Sequence, residues 1–377
     1  MKIVHIMAGM EQTSGIAKVA CRLADVQAVR GHDVAIATTD CAATVHPVDP
    51  RVKVMSWPRS WPRRLCRSLG MRRELPTLLA GADVAIVHSM WLWPVWFGAA
   101  CARRVGAKVF MMPHGCLDPV KRAYHGGRKR LVGWLDRRAF ARCDAVIATD
   151  ARERVWVQEW APSGTRVEVV PLGVDLPDET LLDDVSAGRE TTAGLRLLYV
   201  GRLHPLKGLE VLLAALAEVP DVRLTVVGRD EQGQQARLER QCRAAGIADR
   251  VQFAGVVTEA RKHELLAACE AFALPTFSEN FGLVVAEALA HGKPVVTTDG
   301  APAWRRLPEK GCGLFVEGFV GADTSAARIA RLRAALATLA AMSPAERAAM
   351  GTRGRRWMAD DFSWDAVADR LERLVRG

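Results

Sequence analysis

Short apolar runs alternate with helical patterns along the chain. The runs of the first half span residues 2–7, 33–39, 52–57, 83–89, 108–113, 145–150 and 167–173. They are continuous rather than strictly alternating, which is typical of parallel strands covered on both faces. Helical patterns lie between them, such as Ile16 to Arg30 before Gly31. The first half is therefore predicted to be a doubly wound α/β domain.

A polar, acidic stretch at 176–194 interrupts this pattern and is predicted to be a linker. Strand patterns then resume at 195–201, 222–228, 251–257, 271–275, 294–299 and 313–317, and the chain is helical from about Ser325. The predicted domains are residues 1–175 and 195–361, two Rossmann-like parallel-sheet domains. A cleft between two such domains is a usual place for a ligand.

Composition and charge narrow the class of protein. Of 377 residues, 50% are hydrophobic and 25% charged, which excludes a disordered or fibrous chain. The net charge of +10 favours anionic partners. Nine cysteines without a C-x-x-C pair argue against a disulfide framework or a zinc site and favour a reducing, cytosolic compartment. The uncharged stretch 84–102 contains Pro94 and divides into a strand and a helix, so we do not expect it to cross a membrane.

Two loops carry candidate chemistry in the second domain. Val200 to Gly208 (VGRLHPLKG) follows a strand and precedes a helix, placing Arg202 and Lys207 near a helix N-terminus. Two cations and helix N–H groups can bind a diphosphate. The alternative is that this segment is a basic surface loop exposed to solvent, with no ligand.

Pro275 to Gly292 (PTFSENFGLVVAEALAHG) also runs strand, loop, helix. Glu279 and Glu287 are eight residues apart, just over two helical turns, so both carboxylates are expected to face one cleft. Gly282 permits close approach of a ligand, and N–H groups at 281–283 can cap a phosphate. For Glu287 taken alone, the alternative to a binding role is an ordinary exposed position on a helix.

Together these two motifs resemble glycosyltransferase family 4, retaining enzymes with two Rossmann-like lobes in the GT-B architecture. The resemblance covers essentially the whole chain and is strongest in residues 195–317. PHGCLDP (113–119) and TTDGAPAW (297–304) are similar to bacterial enzymes that build surface polysaccharides such as O-antigen, capsule or exopolysaccharide. The resemblance also implies that the last helix, 362–377, crosses back onto the first domain.

The resemblance implies a role for each matching residue. Arg202 and Lys207 would bind the donor diphosphate, Glu279 the sugar hydroxyls, and Glu287 the ribose. Backbone groups of Asn280, Phe281, Gly282 and Leu283 would contact sugar and phosphate, and the base would lie near Gly228, Arg229 and Val257. The substrate would be a nucleoside-diphosphate sugar, with no cofactor and no metal.

Four residues are candidates in the first domain. Ser14 and Gly15 lie at the start of the first helix, where Gly15 could approach the donor phosphate or the acceptor. Many relatives have two adjacent glycines there, so this chain matches the family pattern less closely at Ser14. His114 follows a strand and could transfer a proton or bind a sugar hydroxyl; the alternative is a core histidine. Asp118 could contact the acceptor or cap a helix. We interpret His88 as structural.

The leading hypothesis is sugar transfer from a nucleoside diphosphate to a hydroxyl acceptor. A sugar-nucleotide 2-epimerase on the same fold remains an alternative. A non-enzymatic anionic-polymer or nucleic-acid binder would exploit the positive charge, but the chain lacks RNP runs and C-x-x-C fingers, so we expect no nucleic acid. The carrier, UDP or GDP, and the sugar stay open.

Basic residues and tryptophans concentrate in the first half. Residues 51–73 hold eight bases and no acid, with Trp57 and Trp61 interleaved, and 121–142 hold eight bases and one acid. Such segments suit an anionic membrane surface, although a solvated basic face is the alternative. We expect a cytoplasmic enzyme bound peripherally to the inner membrane, with a lipid-linked saccharide or lipopolysaccharide as acceptor.

Overall fold

The structure is a computed structural model that describes residues 1–11, 15–40, 45–119, 122, 126–178, 194–322 and 324–376. The chain forms two compact units. One comprises Met1–Gly173 with Trp364–Gly377, and the other Val174–Ser363. The proposed linker, 176–194, lies mostly outside the described residues.

The first unit contains a seven-stranded parallel sheet in the order β3-β2-β1-β4-β5-β6-β7. Its strands are β1 Lys2–Ile6, β2 Asp33–Thr39, β3 Lys53–Trp57, β4 Val84–His88, β5 Lys108–Met112, β6 Ala145–Ala148 and β7 Val167–Val169. All seven predicted strands are present. Strands β1, β4, β5, β6 and β7 end before their apolar runs do, because the last residues of those runs already belong to the following loops, whereas β2 and β3 end with their runs.

Helices cover both faces of this sheet. They are α1 Gly15–Val29, α2 Leu69–Leu79, α3 Trp93–Arg104, α4 Gly126–Phe140 and α5 Ala151–Trp160. Val4 and Ile6 pack into one apolar cluster with residues of α2 and α3. Val34 and Ile36 pack on the opposite face with residues of α1. Burial on two faces explains why the strands read as continuous apolar runs.

The second unit contains a six-stranded parallel sheet in the order β10-β9-β8-β11-β12-β13. The strands are β8 Leu195–Val200, β9 Val222–Val227, β10 Val251–Gly255, β11 Ala271–Leu274, β12 Val295–Thr298 and β13 Gly313–Val316. The helices are α6 Leu209–Ala217, α7 Gln234–Ala244, α8 Glu259–Ala268, α9 Leu283–Ala290, α10 Ser325–Ala341 and α11 Pro344–Phe362.

The last helix, α12 Trp364–Arg376, belongs to the first unit and packs on α1. Val367, Ala368 and Leu371 are buried. Arg30, just after α1, is bonded to three carboxylates of α12 at 2.6–3.3 Å: Asp365, Asp369 and Glu372. The buried apolar side chains of α12 and its ion pairs with Arg30 together hold this helix against α1.

Part of the basic region 51–73 differs from the expectation for a membrane surface. Trp57 is buried and donates its indole N–H to Glu74 at 2.9 Å, so it does not face solvent. Arg59 donates to Thr39 Oγ1 at 2.9 Å and lies 3.3 Å from Glu11. Glu11, distant in sequence, therefore pairs with Arg59, a base for which the segment itself contains no acid.

Candidate functional site

The second sheet reverses its strand order between β8 and β11, which pair through Leu197 and Ala271. In open α/β sheets, ligands bind beyond the carboxyl ends of the strands at such a switch point. The loops that leave these two strand ends are 201–208 and 275–282, the two loops singled out by sequence. Topology therefore brings both motifs to one place.

Backbone contacts join these loops. Phe277 N donates to Leu206 O at 2.8 Å, and Thr276 Oγ1 donates to the same carbonyl at 3.1 Å. Gly208 has a φ of +68°, and a Cβ there would lie 1.9 Å from Pro275 O. Glycine is required at this position by both conformation and space.

Lys207 Nζ is hydrogen-bonded to a carboxylate oxygen of Glu279. Both side chains are mostly buried, at 12% and 19% exposure. The peptide N–H of Glu279 also donates to Gly300 O at 2.8 Å, which fixes the loop that carries the carboxylate. Two site residues predicted from separate motifs are thus in direct contact. Lysine has three N–H donors, so Nζ can bind a second anionic group while keeping Glu279.

Arg202 lies in a more open position. Its Nη1 is 2.9 Å from both carboxylate oxygens of Glu231, and its side chain is 57% exposed. An exposed ion pair of this kind contributes little to stability. The guanidinium can therefore exchange Glu231 for another anion at small cost.

Helix α9 begins at the second loop. Gly282 is its N-cap, with a φ of +77°, and Leu283 is its first residue. Asn280 and Phe281 are buried, and Phe281 O accepts a hydrogen bond from the indole N–H of Trp304. The N–H groups of a first helical turn point out of the helix end and favour anions. The structure thus places residues 280–283 at the N-terminal end of α9, an end of a helix that favours anions.

Glu287 is the fifth residue of α9 and pairs with a lysine that sequence reasoning missed. Lys262 Nζ of α8 is 2.8 Å from Glu287 and 2.9 Å from Glu259. Burial alone would lower the pKa of Lys262, but the two carboxylates outweigh it and the pKa is raised. A signal was available, because Lys262 lies one turn before Leu266 on the apolar face of α8.

The predicted base-binding segments meet at neighbouring strand ends. Gly228 N donates to Gly255 O at 2.8 Å, joining the residues that follow β9 and end β10. A Cβ at Gly228 would lie 1.8 Å from Gly201 O. Arg229 is exposed and Val257 half-buried beside this junction. The three strand ends after β8, β9 and β10 are therefore contiguous.

The first sheet reverses between β1 and β4. Gly15 begins α1, as predicted, whereas Ser14 lies outside the described residues. Three non-glycine residues that follow β4 or β5 have positive φ, an uncommon conformation for such residues that clusters at functional sites. These are Ser89 (75°), Trp91 (66°) and His114 (53°).

His114 is buried, and its Nε2 lies 3.0 Å from Nδ1 of His88. Glu153 of α5 supports the adjacent backbone by accepting hydrogen bonds from Gly115 N and Thr149 N. Asp118 is also buried, and its peptide oxygen accepts from Arg122 N at 2.7 Å. The loop 113–118 is consequently held from several sides at the end of β5.

Within the described ranges, no group of three or more His, Cys, Asp or Glu side chains is arranged to hold a metal ion. The same residues include no helix both long and apolar enough to cross a membrane.

Two family models match the chain. "Glycosyltransferase Family 4" matches residues 13–177 and "Glycosyl transferases group 1" matches residues 188–357. Together they span most of both units, and the chain belongs to this family of GT-B glycosyltransferases.

Individual relatives agree with that assignment. The D-inositol 3-phosphate glycosyltransferases of Segniliparus rotundus and Geodermatophilus obscurus are 34% and 33% identical to this chain, over 64% and 65% of its length. These matches span 54% of each relative, so the chain aligns with about half the length of those proteins.

Solved structures show the fold. Sucrose-phosphate synthase from Thermosynechococcus elongatus has a TM-score of 0.75 and 22% identity, covering 100% of this chain and 98% of that one. Anabaena Alr3699/HepE in complex with UDP and glucose has a TM-score of 0.76 and 18% identity, with coverages of 100% and 99%. WaaG, a glycosyltransferase involved in lipopolysaccharide biosynthesis, has a TM-score of 0.67 and 17% identity, with 100% of both chains covered.

Proposed function

We propose that this protein is a retaining glycosyltransferase that moves a hexose-type sugar from a nucleoside diphosphate to a hydroxyl acceptor. The observation that carries the proposal is the contact of Lys207 with Glu279 where the second sheet reverses its strand order. A cation for phosphate and a carboxylate for sugar hydroxyls stand side by side there. This is the pair of functions that a nucleotide-sugar site requires.

The reaction breaks the bond between the anomeric carbon and the diphosphate and forms one to the acceptor oxygen on the same face. The acceptor proton passes to an oxygen of the departing diphosphate. Negative charge grows on that diphosphate, and Lys207, Arg202 and the N–H groups at the start of α9 would stabilise it. Glu287, held beside Lys262, would accept hydrogen bonds from the ribose.

Product analysis tests this proposal. The purified protein is incubated with UDP-, GDP-, ADP- and dTDP-sugars, with and without acceptors, after a thermal-shift screen of the free nucleotides. Stabilisation by one nucleotide and acceptor-dependent release of its diphosphate would support sugar transfer. Conversion of the free donor into its 2-epimer without acceptor would favour the epimerase instead. We expect activity to persist in EDTA; rescue of a chelated enzyme by magnesium or manganese would contradict metal independence.

We propose a lipid-linked saccharide or lipopolysaccharide as acceptor. The support is the exposed aromatic and basic surface of the first unit. Trp61 is 83% exposed, and Leu131 and Trp134 of α4 are 75% and 57% exposed. Arg63 is exposed beside Trp61, and Arg137 beside Trp134. We therefore place the protein at an anionic membrane surface.

A small phosphorylated polyol is a second candidate acceptor. The D-inositol 3-phosphate glycosyltransferases that match this chain at 34% and 33% identity favour it. Both acceptors can be offered to the same enzyme with the donor identified in the screen. Transfer to inositol phosphate and none to lipid-linked saccharide would overturn the lipid proposal.

A further inference from the structure

Three histidines form a row across the first sheet, ending at His114. His114 Nε2 lies 3.0 Å from His88 Nδ1, and His88 Nε2 lies 2.9 Å from His5 Nδ1. At the other end, His5 Nε2 lies 2.8 Å from the side-chain oxygen of Gln27 in α1. All four residues are buried. The row therefore runs from the loop after β5 into the interior beneath α1.

Strand register explains how residues so far apart in sequence meet. His5 is paired with Ile86 on β4, and His88 lies two residues further along that strand. His88 is paired with Met112 on β5, and His114 follows two residues later. Side chains two residues apart share a face of a strand. The step from β1 to β4 therefore advances two positions and keeps the ring on the face of α1. His114 lies in the loop after β5, where its contact with His88 places its ring at the end of the row.

The protons on this row are not independent. Burial lowers the pKa of His5 to about 4 and that of His88 well below its ordinary value, so both rings are neutral near pH 7. A neutral imidazole has one N–H, and each contact between two ring nitrogens needs one. Because the Gln27 oxygen can only accept a hydrogen bond, His5 carries its proton on Nε2. His5 Nδ1 must then accept from His88, so His88 also carries its proton on Nε2. His114 then donates from Nε2 and carries its lone pair on Nδ1.

We propose that Gln27, His5 and His88 are positioning residues that fix the tautomer and ring orientation of His114. The role of His114 toward substrate rests on the proposed function, whereas its tautomer does not. In either protonation state of His114, Nε2–H donates to His88, so the row is compatible with both. Because it ends on a glutamine side chain, the row orients this histidine and is not a route for protons.

Nitrogen NMR on the full chain labelled at histidine tests the tautomer directly. Spectra of His5, His88 and His114 are assigned by comparison with single His→Gln variants. We expect His114 to be protonated on Nε2 and unprotonated on Nδ1 near pH 7. The opposite tautomer in the wild-type protein would overturn the proposal. This readout does not require activity, so a chain that shows the tautomer but transfers no sugar would count against the proposed function alone.

Gln27→Met tests whether the glutamine sets the direction of the hydrogen bonds along the histidine row. Without an acceptor at this end, Nε2–H of His5 would be a buried, unsatisfied donor, which favours reversal of the whole row. We expect a substantial fraction of His114 to carry its proton on Nδ1, and kcat to fall about 10- to 100-fold with donor KM unchanged, as when partners that orient metal-bound histidines are removed. An unchanged His114 tautomer would overturn the proposal.

The matched control is Gln241→Met. Gln241 of α7 donates its side-chain N–H to Glu210 O at 2.8 Å and belongs to the second unit, whereas the histidine row belongs to the first. It reports the effect of losing one helical amide hydrogen bond. We expect its His114 signals and kcat to match those of the wild type. If Gln27→Met fails to fold, the wild-type tautomer remains the deciding measurement.

Discussion

Lys207 offers the sharpest test among single residues, because the structure gives it one identified partner within the proposed site. Lys207→Ala removes a charge that would face the developing diphosphate. We expect kcat to fall about 10²–10³-fold, equivalent to about 3 kcal/mol by analogy with the loss of one oxyanion donor. Steady-state kinetics with the donor from the nucleotide screen measures this change.

The same substitution leaves Glu279 without its lysine, so some loss of stability, of about 1–3 kcal/mol, is expected as well. Urea unfolding separates that loss from the effect on turnover. Lys53→Ala is a suitable control, since Lys53 lies 3.7 Å from Asp33 and is 71% exposed. Turnover of Lys207→Ala close to that of the wild type would remove Lys207 from the proposed site.

Glu287 is expected to act on nucleotide affinity rather than on turnover. Glu287→Gln weakens its interaction with Lys262 and with the ribose hydroxyls, and we expect the Kd of the nucleoside diphosphate to rise about tenfold or more, the scale of one charged hydrogen bond. Titration calorimetry gives the Kd directly. Glu264→Gln is the matched control, because Glu264 is an exposed carboxylate of α8 paired with Arg261. Equal affinity of the two variants would show that Glu287 serves only Lys262.

For single residues, the sequence indicated the two loops of the candidate site but not all of the side chains that contact them. Arg202, Lys207, Glu279 and Glu287 stand in motifs, so local spacing was enough to select them. Lys262 became visible only once α8 and α9 were packed together. His88 read as a core residue, and its role as a link between two other rings depends on register across three strands. Contacts between distant segments carry no local sequence signal.

Among the elements, α12 depends most clearly on one residue outside it. Arg30→Met removes the ion pairs to Asp365, Asp369 and Glu372 while keeping an apolar side chain against the helix. We expect the Tm of the first unit to fall by about 2–4 °C near pH 7, the shift that about 1 kcal/mol produces in a domain of this size. Differential scanning calorimetry measures it.

Acid should erase this difference. Arg30 and His32 hold the pKa of Glu372 below its ordinary value, despite partial burial that acts in the opposite direction, and Arg30 lowers the pKa of Asp369. A lowered carboxyl pKa stabilises the fold above the unfolded pKa, and this contribution is lost as pH falls through the folded pKa. Wild type and Arg30→Met should therefore converge as the pH falls through the lowered pKa values of these carboxyls, whereas Arg333→Met, which breaks an exposed pair with Glu218, should change little at neutral or at acid pH. An equal difference at both pH values would assign the effect to packing alone.

The strands were the most predictable elements. All thirteen apolar runs form parallel strands. In strands such as β4 and β11, burial on two faces selects continuous apolar residues. Strand order was not accessible from periodicity, and it is the order that creates the two switch points. The sequence pattern thus predicted the layers, while the placement of the site followed from the topology of their connections.

For the whole molecule, the distribution of its +10 charge matters more than the total. Eight of the eleven tryptophans precede residue 161. The structure buries some of them and exposes others. Trp57, Trp91 and Trp96 are buried, whereas Trp61 and Trp134 are exposed. Only exposed rings can enter a lipid interface, so the proposed docking surface consists of Trp61 with Arg63, Arg64 and Arg67, and of α4 with Leu131, Trp134, Arg137 and Arg138.

Flotation with liposomes tests this surface. Arginines near an anionic headgroup layer contribute about 1 kcal/mol each, and exposed tryptophans suit the interface. We expect binding to vesicles that contain anionic lipid, and its loss in high salt. Charge reversal at Arg63, Arg64 and Arg67, or Trp61→Ser with Trp134→Ser, should weaken binding, whereas Trp57→Phe should not, since Trp57 is buried against α2. Equal binding to neutral and anionic vesicles, or none to either, would show that this basic surface only faces solvent.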